Sequence, residues 1–219
     1  MGISLQKKFV FLVVPKTGSS TLRKAFEPYI DIRRPTEHFS EHVPLKRFLA
    51  SRNAHFLKDF FKFSFVRNPY DRLYSGFRQD FHAAYNLKHW EEAKKPIFDK
   101  IGDDFNRYIA EYIPKADLIG DPFWICFCPM NEFTHIDGEL FVNFIGKTEN
   151  LWDGAKKLED ILHLECKSTE DLNVRDSSRA PLKYIGHYNR RSIEIINEIY
   201  ERDFEYYDYE ILNPSDFPR

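Results

Sequence analysis

Six apolar residues in succession, Phe9-Val10-Phe11-Leu12-Val13-Val14, run straight into Pro15-Lys16-Thr17-Gly18-Ser19-Ser20-Thr21. An uninterrupted run of β-branched and aromatic side chains suits a strand covered on both faces, as strands of a parallel sheet are. Beyond the polar loop, Leu22, Ala25, Phe26 and Tyr29 recur at helical spacing, and Pro28 falls near the end of that segment. The order is buried strand, tight loop, helix. At 9 Gly and 12 Pro among 219 residues, nothing in the composition suggests a disordered or low-complexity chain.

The same order returns further on. Leu45, Phe48, Leu49, Phe56, Leu57 and Phe60 keep a helical period after Pro44, and Phe61 to Val66 then alternates as a second strand. Asn68-Pro69 punctuates it, and Pro69 suits the first turn of a helix faced by Tyr70, Leu73, Tyr74 and Phe77. Ile101, Phe105, Tyr108, Ile109 and Tyr112 mark another helix, and Leu140 to Ile145 a third strand. Leu151, Ala155, Leu158 and Leu162 predict the helix after it, and Ile193, Ile196, Ile199, Tyr200 and Phe204 the last one. Alternating strands and helices predict an α/β fold with a central parallel sheet flanked by helices in three layers. With no internal repeat and no Gly/Ser/Pro linker, residues 1–219 are expected to form a single domain. In such sheets ligands bind beyond the carboxyl ends of the strands, so the first two βα loops are the places to look.

The first loop is suited to an anion. Backbone N–H groups at a strand-to-helix turn and the positive end of the helix favour phosphate or sulfate. Lys16 adds a full charge, and Thr17, Ser19, Ser20 and Thr21 add hydroxyls around Gly18. The alternative is an ordinary βα loop in which Ser19 or Ser20 caps the helix. The lysine precedes the glycine instead of following it, so the loop is P-loop-like without being a Walker A sequence, which disfavours a generic ATPase or kinase. In the second loop, Arg67 closes a strand with a planar fork suited to phosphate, and Ser75 follows eight residues later, off the apolar face of the helix. The two are candidates to grip one phosphate.

Charge and cysteines narrow the partners. Lys and Arg total 32 against 34 Asp and Glu, so no global field draws the chain to nucleic acid, and any anion site must be local. Cys126, Cys128 and Cys166 are an odd number without a second Cys or His pair at metal-ligand spacing, which reads as reduced structural thiols. The apolar run at 9–14 is too short for a signal-peptide core or a membrane span, so the expectation is no membrane span and a cytoplasmic location.

Taken together, Pro15 to Leu22 and Val66-Arg67-Asn68-Pro69-Tyr70-Asp71-Arg72-Leu73-Tyr74-Ser75-Gly76-Phe77 resemble the 5′-phosphosulfate loop and the 3′-phosphate motif of sulfotransferases. The donor of these enzymes is 3′-phosphoadenosine 5′-phosphosulfate, and the resemblance is to their carbohydrate branch. Phe141 to Leu151 is similar to that family's strand-Gly-basic-x-Glu-x-Leu segment. Ile199 to Tyr209 is similar to its closing helix and aromatic tail.

The resemblance implies sulfuryl transfer to a hydroxyl or amine of a carbohydrate or small-metabolite acceptor, with adenosine 3′,5′-bisphosphate released. It implies that Lys16 stabilises the leaving group and that side-chain and backbone donors suffice without a metal. For the base, Glu37 to Leu45 resembles a His-x-His-Val stretch of uronyl 2-O-sulfotransferases and aligns His42 with their catalytic histidine, although here the spacing is His38-x-x-x-His42. His38, Glu41 and Glu37 remain alternatives, as does the reading that the two histidines merely share a helix-start surface. Ser177 to Tyr184 is a candidate third donor-binding segment, Arg179 favoured over Lys183. Tyr85, Trp90 and Trp124 are candidates to stack on a sugar face or to serve the core. The competing functions are a nucleotide binder without turnover and a P-loop-like phosphotransferase. The oligomeric state is not legible.

Overall fold

The computed structural model describes residues 1–33, 41–165 and 184–219, with the backbone alone at 53, 57 and 89. It falls into two compact units, Met1–Arg67 with Met130–Pro181 and Asn68–Pro129 with Leu182–Arg219. The result is a mixed α/β architecture with a central, mostly parallel sheet flanked by helices.

The first unit carries the sheet. Its strands are β1 (Gly2–Ser4), β2 (Phe9–Phe11), β3 (Ile32–Arg33), β4 (Phe61–Val66) and β7 (Phe144–Lys147), in the order β3-β1-β2-β4-β7. β2 runs parallel to β4 and β4 parallel to β7, whereas β1 pairs antiparallel with both β2 and β3. The parallel core is therefore extended on one side by an antiparallel edge that the sequence pattern did not announce, because strands of two or three residues carry too little periodicity to read. Every side chain from Phe9 to Val14 is fully buried, as a strand covered on both faces requires. Phe9, Phe11, Val13, Phe63 and Phe65 pack with Leu22 and Phe26 of α1 (Ser19–Phe26) and with Ala155 and Leu158 of α7 (Leu151–Leu162).

The Phe65 ring fixes how closely β7 and α7 approach. A Cβ at Gly146 would stand 2.3 Å from it and one at Gly154 2.8 Å, so both positions must be glycine for the ring to fit.

Two expectations in this unit are corrected. The third strand is Phe144–Lys147, not 140–145; Glu139–Leu140 (β6) instead forms a hairpin with His135–Ile136 (β5). The two-residue connection is Asp137-Gly138, both at positive φ, the turn that matches the twist of a hairpin. The helix after Pro44 is also broken, into α2 (Leu45–Leu49) and α3 (Phe56–Asp59). Ser51 ends α2 by donating both its N–H and its hydroxyl to the Phe48 carbonyl, at 2.9 and 2.7 Å, a local bond that competes with helix continuation.

The second unit is helical. α4 (Pro69–Asn86) starts as expected, with Pro69 in its first turn and the Asn68 side chain accepting from the Tyr70 N–H at 3.0 Å. α5 (Lys88–Ile101) follows after Leu87 and holds Pro96 inside it. The helix expected across Ile101 to Tyr112 is interrupted by Gly102 at φ +64°, and α6 (Phe105–Glu111) restarts on an Asp104 cap. The closing helix likewise splits at Tyr200 into α8 (Arg190–Ile199) and α9 (Glu201–Tyr207). The buried Tyr200 hydroxyl donates to the Phe127 carbonyl at 2.6 Å, and burial pushes its pKa far up. Tyr70, Leu73, Phe77, Phe98 and Tyr108 form the centre of this core. It also encloses an Asp80–Lys94 ion pair at 2.6 Å, with both side chains at least 96% buried and the Tyr108 hydroxyl donating to Asp80 at 2.9 Å.

Candidate active site

The site is built at the end of β2. Gly18 sits at φ +70°, ψ 13°, the left-handed conformation that a Cβ disfavours, and caps α1 without any side-chain capping bond. Ser19 and Ser20 are therefore not the cap, as the ordinary-loop alternative required. Thr21 and Leu22 donate their N–H groups to the Gly18 carbonyl at 3.0 and 3.1 Å, and helix geometry leaves those of Ser19 and Ser20 without intrahelical acceptors at the positive end of the helix dipole. Leu151, first residue of α7, closes over Gly18, where an added Cβ would lie 3.1 Å from its side chain. Lys16 also has a positive φ, +68°, a conformation non-glycine residues rarely hold.

Two contacts brace this turn. The buried Thr17 hydroxyl donates to the Val14 carbonyl at 2.9 Å, so it serves the loop itself instead of pointing outward as a ligand donor. Arg67, at the end of β4, donates from Nη1 to the Lys16 carbonyl at 3.1 Å. Ser20 is exposed and Thr21 half-buried, while Ser19 is buried.

His42 joins the same unit. Its Nδ1 lies 3.0 Å from the Val13 carbonyl, and because a carbonyl can only accept, Nδ1 carries the hydrogen and Nε2 is the basic nitrogen. The neighbouring Glu41 is ion-paired with Arg23 of α1.

Of the sequence-derived candidates, Lys16, Thr17, Gly18, Ser19, Ser20, Thr21, Arg67 and His42 thus fall together in the first unit. Ser75 lies on α4 in the second unit, half-buried. His38, Glu37, Arg179 and Lys183 lie outside the described residues. Trp124 packs against the core of the second unit. Trp90 is set edge-on to Phe123 with the Lys94 ammonium above both rings, and Tyr85 is exposed, its hydroxyl donating to Asp99 at 3.1 Å.

Thr148 was not singled out from sequence. Its hydroxyl donates to the Val66 carbonyl at 2.8 Å, and its Cγ2 would lie 3.7 Å from a Cβ at Gly18. Its place directly after the third strand, at the end where the other two strands carry their loops, is the signal that points to it. Among the described residues no group of three or more His, Cys, Asp or Glu is placed to hold a metal ion, and no helix is long and apolar enough to cross a membrane.

In this mostly parallel sheet the strand β2 leads through a lysine-bearing, glycine-capped turn into α1, at the strand end where sheets of this kind carry their sites. The model described as "Sulfotransferase family" matches residues 2–210, and the chain belongs to that family. It is similar to carbohydrate sulfotransferase 10 of Xenopus laevis, 25% identical over 94% of this chain and 66% of the relative. It is likewise similar to the human protein of that name, 26% identical over 93% and 65%. Carbohydrate sulfotransferase 11 of Rattus norvegicus is 21% identical over 94% of this chain and 66% of its own length. The chain thus spans just under two-thirds of the length of these relatives. No solved structure matches it significantly.

Proposed function

We propose that the chain is a sulfotransferase that moves a sulfuryl group from 3′-phosphoadenosine 5′-phosphosulfate to a hydroxyl, or an amine, of a carbohydrate acceptor. The observation that carries this reading is the turn at Lys16 to Ser20, shaped for an anion and braced by Arg67, in a chain that matches the sulfotransferase family over residues 2–210. The names of the relatives support a carbohydrate as acceptor. The P-loop-like character of the fold and its three layers belong to the same proposal, as does the single domain over 1–219, which the continuous family match favours.

The residues present suit the donor. The helix start and the Lys16 ammonium offer positive charge to a phosphosulfate, and Gly18, without a Cβ, lets backbone approach it closely. Arg67 is assigned to the 3′-phosphate, and the sequence resemblance adds Ser75, Arg179 and Lys183 as donor-binding candidates.

In the transfer, the acceptor oxygen forms the new S–O bond as His42 Nε2 takes its proton, and the bond from sulfur to the phosphate oxygen breaks. The electron pair left on that phosphate is stabilised by Lys16, so charge is compensated where it develops. We assign no metal to this step. Glu41 is the weaker candidate base because its carboxylate is engaged with Arg23.

Calorimetry with adenosine 3′,5′-bisphosphate, compared with ATP in the presence and absence of Mg²⁺, tests the reading. Selective, metal-independent binding of the bisphosphate supports it. A preference for Mg²⁺-ATP replaces it with the phosphotransferase reading.

A further inference from the structure

Arg23 is engaged in more than an ion pair with Glu41. Its Nε donates to the Ser19 carbonyl at 3.3 Å and its Nη2 to the Ser20 hydroxyl at 3.4 Å, while Nη1 holds Glu41. One guanidinium therefore grips the first turn of α1, immediately after the anion loop, and the residue directly before His42. His42 is held from the other side by the Val13 carbonyl, two residues before that loop. The histidine is thus tied to both ends of the loop that carries Lys16.

We propose that Arg23, acting through Glu41, is a positioning residue that sets the His42 imidazole in register with the loop. The inference rests on the assignment of His42 as base made above. General-base catalysis needs the base within hydrogen-bond reach of the proton it takes, and small displacements are costly. The anchor at Val13 fixes the tautomer but acts on a single ring atom. The Arg23–Glu41 contact adds a constraint through the side chain of the neighbouring residue, whose backbone carbonyl accepts from the Met1 amino group. The planar guanidinium makes all three contacts at once, which a lysine ammonium on a single flexible stem does not reproduce. Both side chains of the pair are about one-quarter exposed and line a cavity of about 210 Å³ with Ser20, Lys24, Glu27 and Arg33.

The test uses the full chain with Glu41→Gln, Arg23→Met and the double variant. Nitrogen NMR of the His42 imidazole is read with bound adenosine 3′,5′-bisphosphate, and sulfate release from the donor is measured with water as acceptor. Thermal unfolding of each variant is read alongside, so that a loosened ring is told from a loosened fold. The wild type is expected to show a fixed Nδ1-protonated ring. Glu41→Gln should give the averaged signals of a loosened ring and release sulfate about tenfold more slowly, with bisphosphate affinity unchanged within about twofold. Arg23→Met should match or exceed that loss, and the double variant should be no worse than the worse single variant, because both act on one contact. An imidazole signature unaltered in both single variants, or losses that multiply in the double variant, would overturn the inference. Wild-type protein that binds no bisphosphate would instead sink the sulfotransferase reading, and the NMR comparison, run without ligand, still decides whether the pair fixes the ring.

Discussion

Arg67 donates from Nη1 to the carbonyl oxygen of Lys16 at 3.1 Å, so the end of β4 is fastened to the loop that leaves the adjacent parallel strand, β2. The contact uses one arm of the guanidinium to hold Lys16 in its left-handed conformation. It links the two cations assigned to the proposed donor site through the backbone of Lys16. A third strand end contributes through Thr148, whose hydroxyl donates to Val66, the residue before Arg67.

Gly18→Ala is expected to damage the site through the backbone. At φ +70° a Cβ costs about 1–2 kcal/mol, and it would press on Leu151, 3.1 Å away. Thermal unfolding should show the loss of stability, and calorimetry a loss of bisphosphate affinity larger than that of Ser20→Ala, which removes only an exposed hydroxyl.

His42→Ala should abolish turnover while donor binding stays intact, since the imidazole reaches the Val13 carbonyl and is not part of the anion turn. Turnover at the wild-type rate would remove His42 from the role of base and return attention to Glu41 and His38.

In the second unit, Asp80→Asn should destabilise the fold by about 3–5 kcal/mol, because it strands the Lys94 ammonium in a buried site. Replacing every polar partner by an apolar one, as in Asp80→Leu with Lys94→Met and Tyr108→Phe, should recover much of that loss. Chemical denaturation of the single and triple variants measures the difference.

Burial holds the His135 pKa below its usual 6.5, with Glu139 opposing the shift more weakly. The folded state therefore binds this proton less readily than the unfolded chain, and stability rises with pH across the interval between the two values. The contribution is complete above the unfolded value and is lost as pH falls through the folded one. Melting temperatures at pH 5 and pH 8 should differ less in His135→Gln than in the wild type.

The parts of this molecule legible from sequence are those with long, strongly periodic signals. Phe61 to Val66 and the α4 start at Pro69 stand where the pattern puts them, and the Lys16 loop falls between strand and helix as expected; the first strand starts at Phe9 but ends at Phe11, with Leu12 to Val14 buried beyond it. What escaped has physical reasons. β1 and β3 are only three and two residues long. The interruptions at Ser51, Gly102 and Tyr200 depend on a local hydroxyl bond, a positive φ and a buried phenol, none of which alters the apolar period. Asp137-Gly138 was readable as a hairpin turn, yet the apolar run Leu140 to Ile145 after it masked the shift of the third strand to Phe144–Lys147. At the site, residue type identified Lys16 and Arg67, but the bond from Arg67 to the Lys16 carbonyl, the Thr17 hydroxyl turned inward and the Arg23–Glu41 tie are tertiary facts that spacing does not encode.

The most direct measurement is calorimetric titration of adenosine 3′,5′-bisphosphate into the wild type, Lys16→Ala and Arg67→Ala, without metal. Binding by the wild type that weakens at least about tenfold in each variant, the loss of one charge-assisted contact at about 1.5–3 kcal/mol, is the predicted result. Equal affinity in all three proteins, or no binding by the wild type, would contradict the assignment of the donor site to the β2–α1 turn.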